Sequence, residues 1–158
     1  MTLENNGHKD DIIQFGTFSL DSQQFGVNIL RMREIIRPLE ITRVPRAERF
    51  MEGVINLRGV VIPIISLRAR FGMPIKPFDK ETRIINMEID GMVVGFIVDA
   101  IGHVRRFPAG AVEEPPAVTV TGGTEYIAGV AREDDTIFVI LDVDQLVSVE
   151  ELRGFTQE

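Results

Sequence analysis

The chain has 158 residues, with 24 acidic against 17 basic side chains, a net charge of −7, no cysteine and no tryptophan. That balance repels phosphate backbones and anionic lipid surfaces, and the lack of thiols removes disulfides, cysteine nucleophiles and thiolate metal sites together. At 44% hydrophobic and 26% charged residues the composition is that of a folded globular protein, long enough to bury roughly two-thirds of its unfolded surface.

Residues 1–11 are polar and carry neither a basic-then-apolar signal segment nor an apolar run long enough for a bilayer. They read as a flexible leader, and the cytoplasm is the default location. Ile12 to Leu20 and Gln24 to Ile29, separated by Asp21-Ser22, predict a first hairpin. Arg31 to Ile36 reads as a short turn passing into a strand. Pro45 at a first helical position, with Ala47, Phe50 and Met51 on one face and Gly53 as a stop, predicts a helix of one to two turns. Val54 to Leu67 is apolar except for Asn56-Leu57-Arg58-Gly59, a turn between two strands, and Pro63 requires an edge or a bulge there.

Ser66 caps a second short helix that Gly72 and Pro74 end. A linker from Met73 to Lys80 follows. Arg83 to Ile89 and Met92 to Val98 around Asp90-Gly91 form the clearest hairpin, and strand character continues from Ile101 to Phe107. Glu113 to Pro116 and Thr121 to Thr124 read as loops. Tyr126 to Ala131 and Ile137 to Leu141 pair across Glu133-Asp134-Asp135, and Asp142 with Gln145 caps a helix bearing Val143, Leu146 and Val147. About ten short strands with fragments of helix predict a mainly β protein, and the linker near the midpoint suggests two half-sized barrels packed together.

No catalytic set emerges from the residues. His8 lies in the leader and His103 stands alone in a strand, so no nucleophile, base and carboxylate can be grouped. Asp142 and Asp144 lack the further ligands of a calcium loop, and Gly53 and Gly59 are not followed by the Gly-Lys-Ser/Thr of a phosphate loop. Glu113-Glu114 and Asp134-Asp135 read as solvated turns. Arg58, at the tip of its turn with Leu57 and Val60 beside it, has the makeup of an interface anchor, although an arginine there can equally do no more than solvate a turn. Gly129 in a strand marks a bulge or a close backbone approach. Val27, Val60, Ile62 and Ile64 are either core or exposed edge. The competing reading is a small-ligand- or nucleic-acid-binding β-barrel, which the acidic balance and the single tyrosine disfavour.

The segments Phe25-Gly-Val-Asn-Ile, Arg33-Glu-Ile-Ile-Arg37, Ile41-Thr-Arg-Val-Pro45, Gly53-Val-Ile-Asn-Leu-Arg-Gly59 and Val61-Ile-Pro-Ile-Ile-Ser-Leu-Arg68 strongly resemble CheW, the chemotaxis coupling family. So do Phe71-Gly-Met-Pro74, Thr82-Arg-Ile-Ile85, Gly95-Phe-Ile-Val-Asp99, Glu114-Pro-Pro116, Tyr126-Ile-Ala-Gly-Val130 and Ile140-Leu-Asp-Val-Asp144, in the same order. Met32 stands where the family pattern favours valine. The resemblance implies two intertwined five-stranded SH3-like barrels and covers a single domain over residues 12–149, which the linker reading divides near 73–80, leaving 150–158 as a C-terminal tail. It implies no catalysis and no cofactor. The implied role is that of a cytoplasmic adaptor associated with membrane receptor arrays through its partners, without insertion into the membrane and without nucleic acid. Those partners are the cytoplasmic tip of chemoreceptors and the regulatory domain of the chemotaxis histidine kinase. The contact residues expected on this basis are Arg58, Leu57 and Val60 on the turn, Arg33, Glu34 and Ile35 before it, and Val27 on an edge.

Overall fold

A computed structural model describes residues 10–115 and 124–156. Eleven strands among the described residues form two sheets. In the first, β1 (Ile12–Leu20) pairs with β2 (Gln23–Asn28), β2 runs parallel to β11 (Thr136–Leu141), and β11 pairs with β10 (Ile127–Glu133). The far side of β1 takes β8 (Ala100–Ile101) and β9 (Arg105–Pro108). The second sheet has the order β3 (Met32–Ile36), β6 (Arg83–Ile89), β7 (Met92–Val98), β5 (Val60–Ser66), β4 (Met51–Leu57), with β7 and β5 parallel. Both sheets therefore repeat one plan, two hairpins joined through a parallel pair, with β8 and β9 added beside β1 in the first and β3 beside β6 in the second.

The hairpins form where the turn chemistry supports them. Asp21, Arg58, Asp90 and Asp134 take positive φ, and Gly59 and Gly91 follow two of them in the same region, the geometry of tight primed turns. Asn56 Oδ1 accepts from Gly59 N at 2.9 Å and closes the loop around Arg58. Pro63 lies one residue before the β5–β7 ladder starts, where β5 borders β4 alone and a missing N–H is tolerated. Gly129 is both things expected of it. The β10 register slips there, and the backbone of Glu113 lies 2.8 Å from where a Cβ would stand. The Ser66 and Asp142 caps begin α1 (Leu67–Arg70) and α2 (Val143–Leu146), although the Asp142 carboxylate accepts from Asp144 N while its backbone carbonyl accepts from Gln145 N.

Several expectations need correction. No helix forms over 45–53; Ala47 N donates to Val44 O and Met51 N to Glu48 O in successive turns, Arg46 has a φ of 65°, and β4 begins at Met51. Ile41, Val44, Ala47 and Phe50 face inward at every third residue, a period that an α-helix does not present to one side. Gly53 belongs to β4 with φ 148°, pressed against Thr42, whose backbone exchanges 2.8 Å hydrogen bonds with Val54. The strand expected from Ile101 to Phe107 breaks at 102–104, where Gly102 N donates to Thr17 O and Thr17 Oγ1 donates to His103 O.

The linker over 73–80 joins β5 to β6 within one sheet, so it does not divide the barrels; the chain changes sheet at the 3-10 turn Ile29–Arg31 and again after Val98. The segment taken as a tail is helical, α3 (Val149–Thr156), with Leu152 fully buried. Most of the leader, Pro116 and residues 121–123 of the expected loops lie outside the described residues.

Each sheet encloses a small apolar core, Phe15, Phe107, Phe138 and Ile140 in the first and Ile55, Ile62, Ile64 and Ile84 in the second. The largest cluster lies between them. It combines Phe18, Phe25 and Leu141 of the first sheet with Ile65, Met87 and Phe96 of the second, together with Leu146 and Leu152. The fold is mainly β, two packed barrels with a few short helices, held together by a shared core.

Candidate functional site

The five-stranded sheet has β3 and β4 as its two edges, and the expected contact residues gather where those edges meet. Arg58 projects from the β4–β5 turn with 68% of its side chain exposed, and its Nη2 lies 2.6 Å from Glu34 Oε1 on β3. The pair thus spans the gap between the two edges. In solvent it contributes little to stability, because screening and side-chain ordering offset most of the attraction. Beside it the turn presents Val60 and Val61, both more than half exposed, while Leu57 is half-buried against the second core.

On β3, side chains alternate. Glu34 and Ile36 lean toward the barrel, whereas Arg33 and Ile35 face solvent, Arg33 paired with Glu88 of β6. From there the surface descends into a groove of about 310 Å³ between the sheets, lined by Ile29, Met32, Ile35, Ile101 and Val104. Both charged groups at its rim are already engaged, Arg33 with Glu88 and Glu34 with Arg58, so the groove offers mostly apolar area with a fixed charge pattern at its edge.

The expected residues divide accordingly. Leu57, Arg58 and Val60 form one group, Arg33, Glu34 and Ile35 another, and the Glu34–Arg58 pair joins them. Val27 does not belong; it is fully buried, because its face of β2 turns into the core shared by the two sheets. Ile62 and Ile64 are also core. The groove residues Ile29, Ile101 and Val104 escaped notice in the sequence, since an apolar residue beside Gly102-His103 reads as strand interior until the break there is known.

A second, open depression of about 620 Å³ lies at the end of the first sheet, with Gln23, His103, Arg105, Thr136 and Phe138 among its walls. Arg105 is held there by Glu133 and by the face of Phe138. Among the described residues no group of three or more His, Asp or Glu could hold a metal ion, and no helix is long and apolar enough to cross a membrane.

A family model described as the CheW-like domain matches residues 14–151. The chain belongs to the CheW family. It is 33% identical to the chemotaxis protein CheW of Klebsiella aerogenes over 139 residues, covering 88% of this chain and 84% of that one. A probable chemotaxis protein CheW of Rhizobium etli is 34% identical over 133 residues, with coverage of 83% and 84%. The crystal structure of the scaffolding protein CheW from Thermoanaerobacter tengcongensis superposes with a TM-score of 0.81 at 35% identity, covering 89% of this chain and 96% of that one. Family membership accounts for the two-sheet plan and directs attention to surfaces rather than to a reaction centre.

Proposed function

We propose that this protein is a non-catalytic, cytoplasmic adaptor that couples chemoreceptors to the chemotaxis histidine kinase within signalling arrays. Residues 12–149, together with α3 packed on their shared core, act as one functional unit. The reading rests on family membership together with one observation, the exposed Glu34–Arg58 pair that joins the hairpin tip to the groove-lining strand. Such a surface combines a planar guanidinium, exposed aliphatic side chains and little structural obligation, the makeup of a protein-binding hot spot. The groove accepts the apolar face of a receptor hairpin, and the hairpin tip with Leu57 and Val60 meets the regulatory domain of the kinase. Holding both at once converts their encounter into an effectively intramolecular one.

Titration calorimetry against the kinase regulatory domain from the same organism, and separately against a receptor-tip peptide, tests this. Wild type is expected to bind with a dissociation constant of about 1 μM, near −8 kcal/mol. Arg58→Glu places two carboxylates together and is expected to weaken binding at least about tenfold while the melting temperature hardly moves. The swap Glu34→Arg with Arg58→Glu restores the pair; binding that stays weak locates the contact on Arg58 itself. Unchanged affinity for both partners in Arg58→Glu would remove this surface from the interface.

A further inference from the structure

Many of the arginines among the described residues are neutralised internally. Among the described residues, Arg31, Arg33, Arg58, Arg68, Arg70, Arg105 and Arg132 each have a carboxylate partner, and Arg83 donates to backbone carbonyls. The exposed arginines without such a partner are Arg37, Arg43, Arg46, Arg49 and Arg106, so four of the five fall within residues 37–49. The fold gives that segment a definite shape. Thr42 is pinned to Val54 of β4, and Ile41, Val44, Ala47 and Phe50 are drawn inward at every third position. Arg43, Arg46 and Arg49 each stand one residue before an inward neighbour and are exposed in the same repeat.

We infer that this row of arginines is a docking surface for an acidic polypeptide segment of a partner protein. Arginine suits that role because its planar fork binds carboxylates bidentately, and no lysine interrupts the stretch. A polyphosphate or an anionic membrane fits less well. Glu40 and Glu48 lie exposed within the same segment, and the net charge of −7 opposes an extended anionic lattice, whereas a short acidic stretch is felt only within the screening length of about 8 Å. Pro45 and the exposed Leu39 add apolar contact.

A fluorescein-labelled oligo-glutamate peptide tests the surface by anisotropy with the full chain. Saturable binding at about 50 mM salt that weakens at least about tenfold by about 300 mM is expected. The triple variant Arg43→Glu, Arg46→Glu, Arg49→Glu is expected to abolish it, with Arg106→Glu and Arg58→Glu binding like wild type. If the reversed triple does not fold, the corresponding glutamine triple is expected to show at least a tenfold loss. No binding at low salt, or equal binding by a folded triple variant, overturns the inference. Tighter binding to phosphatidylserine vesicles or to single-stranded DNA than to the peptide overturns the acidic-polypeptide assignment. Because Arg58→Glu leaves this readout unchanged, its failure is separable from that of the adaptor interface.

Discussion

The guanidinium of Arg68 has almost no contact with solvent, yet it lies at the junction of both sheets. Its Nε donates to Asp99 Oδ1 at 2.9 Å, Nη2 to Asp99 Oδ2 at 2.6 Å and also to Asp21, and Nη1 to the Pro74 carbonyl at 2.8 Å. Asp99 additionally accepts from Asp21 N at 2.7 Å. The Arg68 hydrogen bond, above all, holds the Asp99 carboxyl below the usual carboxylate range, against the opposing effect of burial. A carboxylate with a depressed folded pKa stabilises the protein above its unfolded value, about 3.9, and that stabilisation fades as pH falls through the folded value. Arg68→Met is therefore expected to destabilise the protein by about 2 kcal/mol at pH 7, less than the roughly 3–5 of a fully buried pair because Asp21 remains solvated. Urea melts at pH 7 and near pH 3 check this: the gap between variant and wild type should narrow on acidification, and a gap independent of pH would assign the loss to packing alone.

Among the elements, α3 shows how a short helix is fixed from both ends of a residue pair. Ser148 Oγ accepts from Glu151 N at 3.0 Å while Glu151 Oε1 accepts from Ser148 N at 2.8 Å, a reciprocal cap. The same Glu151 receives both terminal nitrogens of Arg70, which lies over the Phe50 ring at 4.0 Å. Ser148→Ala is expected to cost about 1 kcal/mol, lowering the melting temperature by roughly 2–4 °C, with Ser148→Asp recovering most of it. A circular-dichroism melt unaffected by the change would mean that Arg70 alone holds the helix. The sequence conceals this element because Glu150-Glu151 reads as a charged tail, whereas Leu152 beside them is fully buried. The hairpins around Arg58-Gly59, Asp90-Gly91 and Asp134 were legible because turn chemistry is local. The segment over 45–53 was not, since its three-residue inward repeat depends on Thr42 pairing with Val54, a contact that the sequence does not announce. Val27 is misassigned for the same reason: an alternating strand does not reveal which of its faces the second sheet will cover.

At the scale of the molecule, the pattern of strands alone suggested a division near residues 73–80, but pairing across the chain places β1 and β2 with β8–β11 and leaves β3–β7 together. The family resemblance supplied the two-barrel plan that composition and periodicity could only suggest. What makes those barrels one body is the cluster in which both sheets and the last two helices bury side chains. Leu152 is its C-terminal member, fully buried with α3 lying against β5. Leu152→Ala is expected to remove about 2–5 kcal/mol, a large share of the roughly 5–15 available to a domain of ordinary stability. Because the core is shared, native-state hydrogen exchange is expected to show equal losses of protection at Val130 in the first sheet and Ile85 in the second. Loss confined to one sheet would make the barrels separate cooperative units, free to shift against each other. A common loss instead means that the groove between them has a fixed shape, so that partners meet a preformed surface and affinity is set by its side chains rather than by closure of the two halves.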